Sequence, residues 1–101
     1  MSLSATAARE ELERFRQIID RIDLNLLSLL NERTKVVEEI GRVKQQAQFA
    51  VYEPKREDQV LANVMGHNAG PLPAAAVQRI FERIIDEMRT IQQQKIEGEK
   101  R

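Results

Sequence analysis

Cysteine is missing from all 101 residues, which excludes disulfide staples and thiolate metal sites. Aromatic residues are scarce: Phe15, Phe49, Tyr52 and Phe81 are too few and too scattered to make a stacking platform for bases. An excess of one charge is lacking too. Sixteen basic side chains balance sixteen acidic ones, so nothing draws the chain in bulk to nucleic acid or to a membrane surface. The N-terminal MSLSATAAREELE turns acidic before any apolar run begins. Neither a signal peptide nor a membrane span is therefore expected, and the expected compartment is cytoplasmic. Length and composition suit a single domain over residues 1–101, with a core from about 9 to 94 and flexible tails.

Proline is absent between about Ala7 and about Gln46, and Gly41 is the only glycine there. The same stretch carries an apolar stripe in alternating steps of three and four: Leu12, Phe15, Ile19, Ile22, Leu26, Leu29, then Arg33, then Val36, Ile40, Val43 and Ala47. That spacing predicts one helix of roughly forty residues. At ~1.5 Å per residue it spans roughly 60 Å, whereas a compact chain of this size has a radius of gyration of ~13 Å. The seam therefore calls for cover from a second copy. QAQFAVYEP breaks the period, and Pro54 suits the first position of a second helix with Glu53 beside the N-cap. That helix is expected to reach about Met65, burying Val60, Leu61 and Val64, before the cluster from Gly66 to Pro71 ends it. Pro73 opens a third, on which Val77, Ile80, Phe81, Ile84, Ile85, Met88 and Ile91 recur to about Gln94, with IEGEKR as a solvated tail. The expected fold is all-α, with three helices (long, short, medium) in an intertwined homodimer.

Arg33 is a cation on an apolar seam. A guanidinium keeps its proton, so if buried it needs a carboxylate or phosphate beside it, from the protein or from a ligand. Lys44, eleven residues on, returns to within roughly 20° of the same direction about 16 Å along the axis, so two long cationic side chains share one face. Arg16 points roughly 100° away and suits a different pocket, that of a partner chain. In the first turn of the second helix Glu57 suits the helix dipole and Arg56 does not. Gln92, four residues after Met88, is placed to project from the apolar face of the third helix. Each residue also has a plainer reading. Arg33 can pair with Glu32 or Glu38, Arg16 with Asp20; Lys44 can snorkel, Arg56 can be an exposed charge, and Gln92 can begin the polar run Gln92-Gln93-Gln94. His67, the only histidine, sits in a turn signal and is expected to be solvated. No metal-ligand spacing, glycine-rich phosphate loop or nucleophile beside a base is present.

Taken together, these residues resemble the all-helical chorismate mutase family. The resemblance lies in Arg16-Gln17-Ile18-Ile19-Asp20-Arg21-Ile22-Asp23, Leu26-Leu27, Leu29-Leu30, Asn31-Glu32-Arg33 and Ile40-Gly41-Arg42-Val43-Lys44. Val51-Tyr52-Glu53-Pro54-Lys55-Arg56-Glu57 is similar to the start of the family's second helix, and Ile80-Phe81-Glu82-Arg83-Ile84-Ile85 with Gln92 to its third. About residues 9 to 94 are covered.

The resemblance implies conversion of chorismate to prephenate, a [3,3] rearrangement that needs no nucleophile, no metal and no cofactor. It implies that Arg33 and Arg16 of the partner subunit clamp the substrate's carboxylates, and that Lys44 and Gln92 donate to the ether oxygen. Arg56 would assist at a carboxylate, while Glu57 and the surroundings of Glu53 would receive the ring hydroxyl. Two positions depart from the family pattern: Glu53 stands where Asp is frequent, and Met88 where some members place a Ser that touches a carboxylate. Two further readings stay open, isochorismate pyruvate lyase on the same scaffold and a chorismate- or prephenate-sensing module of the first shikimate-pathway synthase. Asn68-Ala69-Gly70-Pro71 is similar to mutase domains fused to that synthase. A purely structural helical dimer is the remaining alternative, marked by Arg33 and Lys44 each being paired internally with no cavity between them.

Overall fold

A computed structural model describes residues 2–99. It contains three helices, α1 (Ala5–Ala47), α2 (Pro54–His67) and α3 (Ala74–Glu99). The chain divides into two compact units, Met1–Thr34 and Lys35–Arg101.

The first unit is the N-terminal part of α1. The helix begins two residues earlier than the apolar stripe alone predicts because Ser4 caps it. The Ser4 hydroxyl accepts from the Ala7 N–H at 3.1 Å, and the Ser4 carbonyl from the Ala8 N–H at 2.9 Å. The seam side chains Leu12, Phe15, Ile19, Ile22, Leu26 and Leu29 are each at least 50% exposed in the single chain.

The second unit comprises the last turns of α1 together with α2 and α3. Its buried apolar side chains are Val37 from α1 and Val77, Ile85 and Met88 from α3, and α2 packs on α3. Val60, Leu61 and Val64, expected to be buried, are only half-buried: one α2 against one α3 covers a single side of a short helix. α3 lies close to α1 at Gly41, where a Cβ would meet Cγ of Gln92 at 3.5 Å, an ordinary van der Waals contact that alanine could make as well.

Helix ends carry most of the differences from expectation. α1 stops at a Schellman motif in which Phe49 N–H donates to the Lys44 carbonyl at 2.7 Å and Gln48 N–H to the Gln45 carbonyl at 3.2 Å. Gln48 is the left-handed residue, φ 60°, a conformation that costs a non-glycine residue ~1 kcal/mol or more. α2 passes through Gly66 and ends at His67, two residues beyond the expected Met65. One glycine late in a helix costs only ~1 kcal/mol relative to alanine, and the stop comes at Asn68. Its amide donates to the Leu72 carbonyl at 2.8 Å while its side-chain oxygen accepts from Gly70 N–H at 3.0 Å. His67 is exposed, as expected, with Nδ1 at 2.8 Å from the Asn63 carbonyl oxygen. α3 runs to Glu99 rather than to about Gln94, so the described part of IEGEKR is largely helical. Lys95 explains this: its ammonium donates to the Glu38 carboxylate on α1 and anchors the extra turns, while Ile96 is half-buried. The hydrogen bond and charge of Lys95 hold the Glu38 carboxyl below its ordinary value. Lys100 and Arg101 lie outside the described residues.

Candidate active site

Among the described residues, Lys44 and Gln92 are the two buried polar side chains of the second unit, each 8% exposed. Burial of an ammonium is costly unless its hydrogens are taken up, and the chain end of α1 arranges this. Because the Schellman turn sends residues 48–53 back past the last turn of α1, the Lys44 Nζ donates to the Val51 carbonyl at 2.9 Å and pairs with Glu53 Oε1 at 2.7 Å. Snorkelling is thereby overturned for Lys44: its side chain is 10% exposed and its ammonium is engaged by the protein. The ammonium already has a protein counter-charge in Glu53, which the sequence reading assigned only to the substrate hydroxyl. Glu53 itself keeps 52% of its side chain exposed. An ammonium has three N–H groups, so one remains beyond the two engaged.

Gln92 is likewise no loose polar helix end. Its Nε2 donates to the Val37 carbonyl at 3.3 Å, across from α3 to α1. That bond uses one of the two amide hydrogens. Every buried side-chain nitrogen and oxygen among the described residues has a hydrogen-bond partner. Two nitrogen donors, Lys44 on α1 and Gln92 on α3, are thus each held by a backbone carbonyl. Such fixed donors suit charge that develops on an oxygen and need no reorganisation when it appears.

At the start of α2, Pro54 occupies the first helical turn and Glu53 the cap position, but no side-chain cap bond forms because the Glu53 carboxylate is on Lys44. Glu57 is held from α3. Arg89 Nε donates to its Oε2 at 2.9 Å and Arg89 Nη2 to its Oε1 at 2.8 Å. The same guanidinium lies 5.1 Å from the centroid of the Tyr52 ring and donates to Asp86 at 3.1 Å. These bonds, those of Glu57 foremost, raise the Arg89 pKa above the ordinary arginine value. Arg89 was not among the sequence candidates. The signal existed: Ile85 is buried, and Arg89 is one turn further along the same row, a cation continuing an apolar line as Arg33 does.

Arg56 is exposed, with a 3.5 Å contact from Nη1 to Gln59 Oε1. Met88 is buried at 7% and belongs to the apolar core of the second unit. Arg16 and Arg33 belong to the first unit, Arg16 exposed and Arg33 half-buried. No ion pair joins Arg16 to Asp20 among the described residues, and Glu38, one of the carboxylates offered to Arg33, pairs with Lys95.

Comparisons with known proteins agree with this residue pattern. Residues 15–93 match the family described as chorismate mutase type II. A bifunctional chorismate mutase/prephenate dehydratase of Aquifex aeolicus is 38% identical over 80 residues, covering 75% of this chain and 22% of that protein. One from Neisseria gonorrhoeae is 43% identical over 72 residues, covering 71% of this chain and 19% of that protein. The chain therefore spans about a fifth of the length of the curated relatives it matches. Among solved structures, a chorismate mutase (form II) of Thermus thermophilus superposes with a TM-score of 0.80 at 31% identity, covering 82% of this chain and 94% of that one. No helix among the described residues is long and apolar enough to cross a membrane. With most of its length inside the family match, and with the residues quoted from all three helices falling in it, the chain belongs to the chorismate mutase type II family.

Proposed function

We propose that this chain is a cytoplasmic, homodimeric chorismate mutase that converts chorismate to prephenate. The observation that carries the reading is the pair of buried donors, Lys44 on α1 and Gln92 on α3, each tied to a backbone carbonyl with an N–H left over. In the rearrangement the ether C–O bond breaks as the new C–C bond forms, and negative charge builds on the ether oxygen. Donors aimed there bind the transition state more strongly than the substrate. No side chain takes or gives a proton in the rearrangement.

The remaining roles follow the family pattern. Arg33 and Arg16 of the partner subunit hold the two carboxylates, with Arg56 assisting, and Glu53 and Glu57 receive the ring hydroxyl. Held so, the substrate is kept in its compact reactive shape, which lowers the entropic part of the barrier. Met88 brings no hydroxyl to the carboxylate, and binding there rests on the arginines. The dimer is supported by the uncovered seam of α1. Six large apolar side chains left half in water forfeit on the order of 5–10 kcal/mol, comparable with the whole stability of a small domain. Residues 1–101 then make one domain only in the company of a second copy. The relatives' fusion to a prephenate dehydratase fits the same reading, because such an enzyme consumes the product. A shikimate-pathway synthase remains a candidate partner on the strength of Asn68 to Pro71.

The test is an ultraviolet assay of chorismate disappearance with product identification, beside sedimentation of the same sample. Prephenate from a dimer is expected; pyruvate from isochorismate with no prephenate from chorismate would move the assignment to the lyase, and a stable folded monomer would end the shared-site reading. A further expected result concerns Gln92. An amide donates at any pH, whereas a carboxyl donates only when protonated and repels the ether oxygen when ionised. Gln92→Glu should therefore keep activity at acid pH and lose it as pH rises through the carboxyl's titration, about tenfold per pH unit above it. A flat profile from pH 5 to 8 would remove Gln92 from the reacting oxygen.

A further inference from the structure

The segment that opens α2 has no cap of its own. Its cap residue, Glu53, spends its carboxylate on Lys44, so the first turn depends on neighbours for its position. Two cations supply this. Lys44 of α1 takes the Val51 carbonyl and Glu53, and Arg89 of α3 takes both oxygens of Glu57 while lying against the Tyr52 ring. Arg89 is 28% exposed at its side chain and Glu57 24%, and 32 residues separate them in sequence, so this is a tertiary contact and not a helix-surface pair.

We propose that Arg89 is a positioning residue that fixes the Glu57 carboxylate, and the first turn of α2 with it, for the substrate's ring hydroxyl. The inference rests on the mutase reading above, in which Glu57 meets that hydroxyl. Two features mark Arg89 as a residue that positions Glu57. Its charge is spent on Glu57 and Asp86, so it offers no bare cation to a substrate carboxylate. Its fork grips both oxygens of one carboxylate in parallel, a geometry that sets the plane of the group as well as its place. A carboxylate offers about four lone-pair directions; Arg89 occupies one on each oxygen, and a hydroxyl donor can take another from a carboxylate that no longer rotates. Lysine, a point charge, would neutralise Glu57 without setting its plane.

The hydroxyl takes no part in the bonds that form and break, so a contact to it serves substrate and transition state alike. Such a loss appears in KM with kcat nearly unchanged. Arg89→Leu and Glu57→Gln are each expected to raise KM for chorismate roughly tenfold while kcat stays within about threefold, and the double variant should be no worse than the worse single one. Arg89→Lys keeps the charge, and with it the fold, yet should still raise KM several-fold. Thermal melts of each variant accompany the kinetics. A variant Arg89→Leu or Arg89→Lys that melts lower but shows the parent's KM would overturn the proposal and leave Arg89 a stabilising residue only. Independent, multiplying effects of Arg89→Leu and Glu57→Gln would overturn it as well. If the parent protein itself shows no mutase activity, the mutase reading fails and takes this assignment with it, an outcome distinct from an active parent whose KM ignores Arg89.

Discussion

Lys44→Met is expected to leave a folded protein whose kcat/KM for chorismate is lower by about 10³-fold, the upper end of the range for removing one fixed donor to a developing oxyanion. Methionine keeps most of the apolar stem that lines the buried position, so packing beside α3 is largely retained. What disappears is the ammonium. On the proposed assignment its remaining N–H meets the ether oxygen, where charge exists in the transition state and hardly at all in the substrate. The fall should therefore lie mainly in kcat. The variant also removes the donors to the Val51 carbonyl and Glu53. Glu53 is half-exposed and can be hydrated, and the Val51 carbonyl sits in a loop, so the structural loss is modest beside the kinetic one. Circular dichroism and sedimentation separate the two effects. A folded dimeric Lys44→Met protein with the parent's kcat would show that the Lys44–Glu53 pair is structural and that the ether oxygen is served from elsewhere.

How far the sequence could be read depends on whether a feature is local. The three helices are legible because the apolar period of 3.6 is set within each segment, and Pro54 and Pro73 mark two of the starts. Their ends are less so. Ser4 adds a cap ahead of the apolar stripe, Asn68 rather than Gly66 closes α2, and α3 outlasts its own apolar pattern because Lys95 finds Glu38 on another helix. In the site, the projection of Gln92 from the apolar face of α3 was legible. The burial of Lys44 was not, because the stripe positions Val36, Ile40 and Val43 are exposed in the single chain and the buried side of α1 runs through Val37, Gly41 and Lys44 instead. Their partners were not legible either. Glu53 reaches Lys44 only because Gln48 turns the chain in the left-handed region, and nothing in a glutamine announces that. Arg89 meets Glu57 only once α3 has docked on α2. The rule that singled out Arg33, a cation continuing an apolar row, applied to Ile85 and Arg89 as well.

Mixing two inactive variants should restore activity. Arg16→Ala is expected to lose kcat/KM by about 10²-fold, the upper range for a charge-assisted pair to a carboxylate, and Lys44→Met by more. If each site takes Lys44 from one chain and Arg16 from the other, a heterodimer of the two variants holds one site with both residues intact and one with neither. Unfolding the two proteins together in denaturant and refolding the 1:1 mixture pairs the chains at random, so about half the dimers are mixed and roughly a quarter of all sites are complete. Recovered kcat should approach that quarter of the parent's, with the parent's KM, since the restored sites are unaltered. A site built wholly within one chain gives the opposite result: every site in the mixture lacks one residue or the other, and refolding restores nothing. The same null result would follow if the exposed seam from Leu12 to Leu29 did not pair two copies at all, and sedimentation of the refolded mixture distinguishes these cases. Arg16 stands exposed on the isolated chain, on the same first unit of α1 as that uncovered seam, so a partner that covers the seam is also the molecule within reach of its guanidinium.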